Sequence, residues 1–480
     1  MSGNGKYLIT GGLVVTLDDS LGDYENGAIL IEDGVIKAVG RAEDISAPGA
    51  EVIDASEGVV IPGFVDSHRH LAMSLMRGIS IDQNIWPFLI DVFTRFCPAI
   101  SVEDMHMAGL IGGLEAIESG TTTIMNPSDS MNSVAHAAAE LQGLRESGIR
   151  GYHCYGMGGG PYGDVAAGKP GWEARMQHAK QLIEEDSASN LLRVGVHLSM
   201  SSTVPFSWIK DEIQFAHALS AFTVSHSSTL RGTDFTRDLE IRADMDVMLP
   251  GHLYIHCTNV LDHEMASIAA TRGALALTPD PNIQTGMGYP PLRQALAHGL
   301  HPALSTDSSC TTPPDMMSAM RLQLATQRSL DHAAVHSTGN ISSTTELVAR
   351  DALIWGTRNG AAALGLADKI GTLTPGKRAD IVVITNKRRL SATANPLGTA
   401  VMHASTADVD LVMVDGKIRK RDGQLVGIDV ADVKARARQA WARIRAKMEN
   451  LKSDTGPEAL QEFIRQTERN HRVNTADAYR

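Results

Sequence analysis

Between residues 59 and 309 the chain alternates eight short apolar runs with stretches of helical periodicity, and this alternation restricts the possible folds more than any other feature. The apolar runs cover 59–70, 121–127, 150–157, 192–200, 222–229, 252–259, 274–282 and 302–309. The helical stretches between them include 101–119, 133–147, 172–185, 208–219, 262–271 and 291–298. Strands that recur with a helix between them are joined by crossovers, so they run parallel. Eight such units spread over roughly 300 residues match an α/β (β/α)8 TIM barrel with insertions. An open doubly wound sheet is the competing fold, but no GxGxxG follows a first strand.

Both chain ends read as β structure. Residues 7–9, 13–17, 28–31 and 35–39 alternate as short strands, with turns such as Glu32-Asp33-Gly34 between them. A second cluster lies at 379–384 and 409–417. Each is too small to bury a face alone, so the two are expected to meet as one small β-sandwich domain, with the barrel inserted between them. The expected organisation is residues 1–58 and 371–427 as the β domain, 59–370 as the barrel and 428–480 as a helical extension. That extension is rich in Lys, Arg and Glu and is expected to pack outside the barrel or on a neighbouring subunit.

Composition excludes several partners. A net charge of −12 without a basic stripe argues against a nucleic-acid surface. No apolar run approaches the ~20 residues of a membrane span, and residues 1–6 lack a signal-peptide core. The four cysteines (Cys97, Cys154, Cys257 and Cys310) show no CxxC or disulfide-rich spacing, so a cytoplasmic setting is expected. The expected partners are a small-molecule substrate and copies of the same chain, as a homodimer or homotetramer.

The chemistry begins where the first apolar run ends, in Ile61-Pro62-Gly63-Phe64-Val65-Asp66-Ser67-His68-Arg69-His70. Residues two apart on a strand share a face, so both imidazoles can reach one point. His226, His256 and Asp307 each end a later apolar run. In a barrel those strand ends open onto one face, where catalytic groups gather. Five such groups buried together would be hard to satisfy without a metal ion, so the set reads as the centre of a metal hydrolase.

Taken with the motifs around it, the chain resembles the amidohydrolase superfamily, in its cytosine deaminase-like branch. That branch includes guanine, S-adenosylhomocysteine and 8-oxoguanine deaminases and the triazine hydrolases. The resemblance runs through the 62–70 motif, Met76-Arg77-Gly78, Glu118-Ser119-Gly120-Thr121-Thr122-Thr123, Ile255-His256-Cys257, Pro279-x-x-Asn282 with Gly286, Ser305-Thr306-Asp307, and 371–380. It implies His68, His70, His226 and Asp307 as metal ligands. The fourth strand holds no lysine to bridge a second ion, so one divalent ion per chain is expected, zinc first and iron(II) as the alternative. Such an ion activates water as the nucleophile. Asp307 would take the water's proton, and His256 would stabilise charge developing on the substrate.

One position departs from the resembling deaminases, which carry a proton-shuttling glutamate three residues after the strand-5 histidine. Here that residue is Thr229, whose hydroxyl cannot serve as the same acid–base group. His197, near the end of the fourth strand, is the nearby substitute, so Thr229 and His197 are the expected substrate-binding residues. His153, His252 and Cys310 are weaker pocket candidates. The expected reaction is hydrolysis of a non-peptide C–N bond in a small cyclic compound, by deamination or by amide- or urea-type cleavage. The alternative is hydrolytic dechlorination, or displacement of another leaving group from an electron-poor heteroaromatic ring. The unrelated zinc nucleobase deaminases fit poorly, because no PCxxC is present. Loops 79–96, 156–171 and 308–317 are expected to line the pocket and set the substrate.

Overall fold

The computed structural model describes residues 5–128, 132–158, 168–186, 191–230, 233–234, 236–387, 390–476 and 478. The expected pocket loop 156–171 therefore lies mostly outside the described residues. Eight strands form one parallel sheet in sequential order. They are β1 (Phe64–Asp66), β2 (Thr121–Ser128), β3 (Arg150–Gly156), β4 (Leu192–His197), β5 (Thr223–Ser227), β6 (Leu253–His256), β7 (Ala274–Leu277) and β8 (Ala303–Leu304). Backbone bonds close the seam between β8 and β1. Ser67 N–H donates to the Leu304 carbonyl at 3.2 Å, and Asp307 N–H to the His68 carbonyl at 2.9 Å. The expected barrel is thus present.

Its interior is filled by Val65, Met125, Cys154, Val224, Ile255, Ala276 and Ala303, all buried in one cluster with Leu364, Leu366 and Ile370. Side chains of opposite parity, such as Phe64, Ile124, Val194, Tyr254 and Leu275, belong to a separate cluster with helix residues. The alternation is the period-2 pattern of a sheet covered on both faces. Helix Val102–Glu118, which packs on this outer layer, starts from a reciprocal capping box between Ser101 and Asp104. Tight approach explains a glycine at the start of β3. Gly151 has φ +146°, and a Cβ there would strike the Ile124 carbonyl oxygen.

The two chain ends do meet. Val35–Arg41, Gly27–Glu32, Lys6–Thr10 and Glu51–Asp54 form a four-stranded sheet. A seven-stranded sheet joins Leu13–Val15 and Gly58–Pro62 to Ile381–Thr385, Val409–Val414 and Lys417–Arg421. Ile9, Ile29, Ile31, Val60, Ile381, Val383 and Met413 fill the space between the two sheets. Pairing of Gly58–Pro62 with Ile381–Thr385 is antiparallel.

Two expected strands are corrected. The run 59–70 divides at Gly63: residues 58–62 belong to the sandwich and only Phe64–Asp66 to the barrel. Gly63 N–H donates to the Asp380 carbonyl at 2.9 Å, and a Cβ at Gly63 would collide with the Thr122 side chain. The run 274–282 ends as a strand at Leu277, and Pro279–Gln284 is helical. Proline at the first turn lacks only an N–H that would have no helical partner anyway.

Arg150, at the start of β3, ties barrel to sandwich. It bonds Asp380 at 2.9 and 3.0 Å and Asp415 at 2.6 Å, and Arg150 and Asp380 are both buried. Removing one partner of a buried pair strands the other charge, at a cost of about 3–5 kcal/mol. Arg150→Ala should therefore lose stability of about that size in urea titrations, while the folded fraction keeps its turnover. A loss below ~1 kcal/mol would show that the pair is not structural.

The C-terminal tail folds back on its own barrel. Helix Val430–Met448 packs on Val102–Glu118, with Arg443 bonding Asp104 at 2.7 and 3.1 Å. Among the described residues no single helix is long and apolar enough to cross a membrane.

Candidate metal centre

His68 and His70 lie just beyond β1, where the extended chain pairs with the segment after β8. Asp307 receives the His70 N–H at 3.0 Å on its carbonyl and gives its own N–H to His68. It therefore sits level with Arg69, between the two histidines. The Arg69 side chain turns the opposite way, to Glu115 on helix Val102–Glu118 at 3.3 Å. Alternation thus sends both imidazoles to one side. His68 Nε2 lies 3.3 Å and His70 Nε2 3.4 Å from the same oxygen, Asp307 Oδ1.

His226 shares the parity of Val224 and so points inward from β5. Its ring stacks on His70 at a centroid distance of 5.3 Å and meets His68 edge-on at 5.0 Å. His256 would share the outward parity of Tyr254 if β6 continued regularly. Instead His256 and Cys257 adopt φ +68° and +53°, which breaks the alternation and turns the imidazole into the mouth. His256 Nε2 then stands 3.9 Å from Asp307 Oδ2. Asp307 itself has φ +61° and Ser228 φ +45°. Left-handed non-glycine residues cost energy, and their concentration at these strand ends marks a site held in place by its surroundings.

Hydrogen bonds fix the rings. His256 Nδ1 lies 3.0 Å from Asn282 Oδ1 and 2.7 Å from Thr278 Oγ1, and Thr278 donates to Asn282 at 2.6 Å. The Asn282 oxygen can only accept, so His256 Nδ1 carries the proton and Nε2 is left with its lone pair. His226 Nδ1 lies 3.1 Å from His197 Nε2, which leaves the His226 Nε2 for the centre. Burial, reinforced by His197, His68 and His70, holds His226 well below the ordinary imidazole pKa. Burial also lowers His256 to about 4, against the opposing pull of Asp307. For Asp307, burial alone would raise the carboxyl, but His68, His256 and His70 outweigh it and hold the group well below the usual range. A neutral His226 beside an ionised Asp307 has the protonation states that metal ligands need.

Donor atoms of His68, His70 and Asp307 all lie within 4.8 Å of one another, as do those of His68, His226 and His256. Ligands at the usual zinc distances around a tetrahedral centre stand roughly 3.3–3.4 Å apart. The His68–Asp307 and His70–Asp307 separations of 3.3 and 3.4 Å match that spacing, so the residues fit a divalent ion. Strand β4, Leu192-Arg193-Val194-Gly195-Val196-His197, offers no lysine or carboxylate to bridge a second one.

The remaining candidates divide. Thr229 is buried after β5, its hydroxyl 3.0 Å from Thr236 Oγ1 and its carbonyl receiving Thr258 Oγ1 at 2.5 Å. His197 is brought to the centre, against His226. His153 lies behind the sheet with Asn126 at 3.3 Å and Glu140 at 3.7 Å. His252 is taken up by Thr223 at 2.7 Å and Ser225 at 2.8 Å, and Cys310 is buried in an apolar cluster. Sequence reasoning missed Thr278 and Asn282 as the partners that orient His256. The signal was present in Pro279-x-x-Asn282, once 279–284 is read as a helix that returns Asn282 to β6.

The sequence profile of the amidohydrolase family matches residues 59–419. A 5-methylthioadenosine/S-adenosylhomocysteine deaminase of Syntrophomonas wolfei is 26% identical over 447 residues, covering 90% of this chain and 98% of that protein. A 5'-deoxyadenosine deaminase of Methanothermobacter thermautotrophicus is 28% identical, covering 92% and 99%. Among solved structures, a zinc-bound adenosine deaminase from Xanthomonas campestris superposes with a TM-score of 0.75 at 22% identity, covering 92% of this chain and 98% of that one. A mutant atrazine chlorohydrolase from Arthrobacter aurescens, complexed with zinc and atraton, gives 0.77 at 21%, covering 91% and 100%. At those identities the two structures establish the shared fold. With a family profile spanning most of its length and the barrel in place, the chain belongs to the amidohydrolase family, as a hydrolase of carbon–nitrogen bonds other than peptide bonds.

Proposed function

We propose that the protein holds one divalent ion, zinc in the first instance, on His68, His70, His226 and Asp307, and hydrolyses a C–N bond of a small heterocyclic compound. The observation that carries this is the approach of two imidazole Nε2 atoms to one oxygen of Asp307, with His226 and His256 closing the ring around them. When bound, the ion supplies Lewis acidity that activates water near neutral pH. The two carboxylate oxygens of Asp307 divide the remaining work. Oδ1 faces His68 and His70 on the ligand side, and Oδ2 faces His256, where it accepts the proton of the attacking water. His256, fixed at Nδ1 by Asn282 and Thr278, keeps a lone pair at Nε2, so it meets negative charge developing on the substrate once that nitrogen has taken up the water's proton by way of Asp307 Oδ2. His197 accepts the His226 Nδ1–H and keeps that ring in its ligating orientation.

The curated relatives are named for adenosine-type substrates, which supports a heterocyclic amine or a related ring as the target. Thr229 favours a second reading, in which the leaving group needs little protonation: an amide, urea or lactam, or a halide on an electron-poor ring. Proton assistance by a placed group contributes roughly 10²–10⁴-fold. A panel of aminopurines, aminopyrimidines, adenosine-type nucleosides, cyclic amides, ureas and heteroaryl chlorides, read by ammonia or chloride release and, for the cyclic amides, by ring opening, should show this. The expected result is turnover of the activated substrates and little of the unactivated nucleobases. Fast deamination of guanine, cytosine or adenosine, insensitive to His197→Leu, would contradict the reading of Thr229.

His197 gives a separate test. Loss of such an outer partner typically weakens metal binding about 10–100-fold, so His197→Leu should raise the dissociation constant by that factor in chelator competition. An unchanged affinity would mean that His226 needs no partner.

A further inference from the structure

The C-terminal helix Pro457–Thr475 reaches the mouth of the barrel. Its Phe463 meets the Trp86 ring edge-on at 6.3 Å, on helix Ile85–Asp91 that follows β1. Two turns on, His471 Nδ1 lies 2.8 Å from Ser201 Oγ, and Asn474 Nδ2 donates to the Ser201 carbonyl at 2.8 Å, in the segment after β4. Arg472 Nε stands 3.5 Å from Asp234 Oδ2, beyond β5. His471 and Ser201 are buried, so their bond is shielded from water and geometrically specific. One helix thus ties together the segments that follow β1, β4 and β5, beyond His68, His197 and His226. The same loops, with the one after β7, supply a small apolar cluster. Leu230 and Met287 are buried there, with Trp86, Leu89 and Met200 packed against them.

We propose that this helix is a positioning element for substrate: it holds the loops so that Trp86, Leu89, Met200, Leu230 and Met287 present an apolar wall to the face of the substrate ring. This deepens the function proposed above and rests on it. Phe463, His471 and Asn474 act through that wall and touch no reacting atom, so their effect falls on binding.

The test uses the full-length, metal-loaded protein with Phe463→Ala and Asn474→Ala. Misplacing a substrate-positioning group can cost up to about 10²-fold, so KM should rise roughly 10-fold in each, with kcat within about 2-fold of wild type. Metal content should not change, and Phe463→Leu should restore KM. Arg465→Ala, at a side chain 60% exposed on the same helix, should alter neither constant. Hydrogen exchange in 85–91 and 199–204 should quicken in both Ala variants, a readout that needs no substrate. If wild type turned over none of the panel, the proposed function would fall, while the exchange rates would still decide whether the helix holds these loops. Should Phe463→Ala fold poorly, Asn474→Ala, which deletes one hydrogen bond, carries the test. Unchanged KM and unchanged exchange in a folded variant would overturn the proposal, as would a fall in kcat at constant KM.

Discussion

Asp307→Asn should fold normally and lose about 10³-fold in kcat, within the 10²–10⁴ range of a placed acid–base group. The amide keeps the size of the side chain and one oxygen for the His68–His70 side, but it cannot accept a proton at the position of Oδ2. His256 Nε2, at 3.9 Å, is the neighbouring base. The ring is already held on its Nδ1 side by Asn282 and Thr278 and does not swing to replace the carboxylate. Stopped-time product assays beside circular dichroism and metal analysis separate loss of chemistry from loss of fold or ion. Near-wild-type turnover with bound metal would show that something other than Asp307 activates the water.

His256→Ala should be nearly as damaging and differ in kind. A group that meets charge only as it develops contributes to the transition state and little to ground-state binding, so kcat should fall about 10²–10³-fold while KM moves only a few-fold. His256 is assigned this role because its left-handed backbone aims it into the mouth and its protonated Nδ1 is occupied by Asn282. Asn282→Leu, which removes the acceptor and leaves the imidazole, should reproduce part of that loss. A variant with raised KM and intact kcat would make His256 a binding residue instead.

The barrel was legible because strand alternation follows from period 2, and His226 repeats the inward parity of Val224. His68 and His70 share one side around Arg69, but alternation continued from the inward Val65 would turn both outward; their place depends on a break in the strand after Ser67, where backbone bonding passes from Leu304 to Met125. His256 was found through its motif and its strand-end position, but local pattern would have pointed it outward; its place depends on a backbone strain invisible to periodicity. The division at Gly63 depends on contact with Thr122 and Asp380, residues far away in sequence. Likewise the helical turn at 279–284 hides inside an apolar run until Pro279 is taken as a helix start. From sequence His197 reads as a nearby substitute for the missing acid–base group; in the structure its Nε2 bonds His226 Nδ1. No sequence pattern links two histidines on adjacent strands. The tail's helical, Lys/Arg/Glu-rich character was legible, but not where it docks, because that is decided by single contacts such as Ser201 with His471.

On the function proposed here, a single ion on His68, His70, His226 and Asp307 drives C–N hydrolysis. Stripping the purified protein with a chelator and titrating zinc back, while following turnover of the best panel substrate and bound metal together, tests it most directly. Activity should vanish in the stripped protein and return linearly to a plateau at about one equivalent per chain, as for a site with one open coordination position. Activity that survives stripping, or a plateau reached only at two equivalents, would contradict the account.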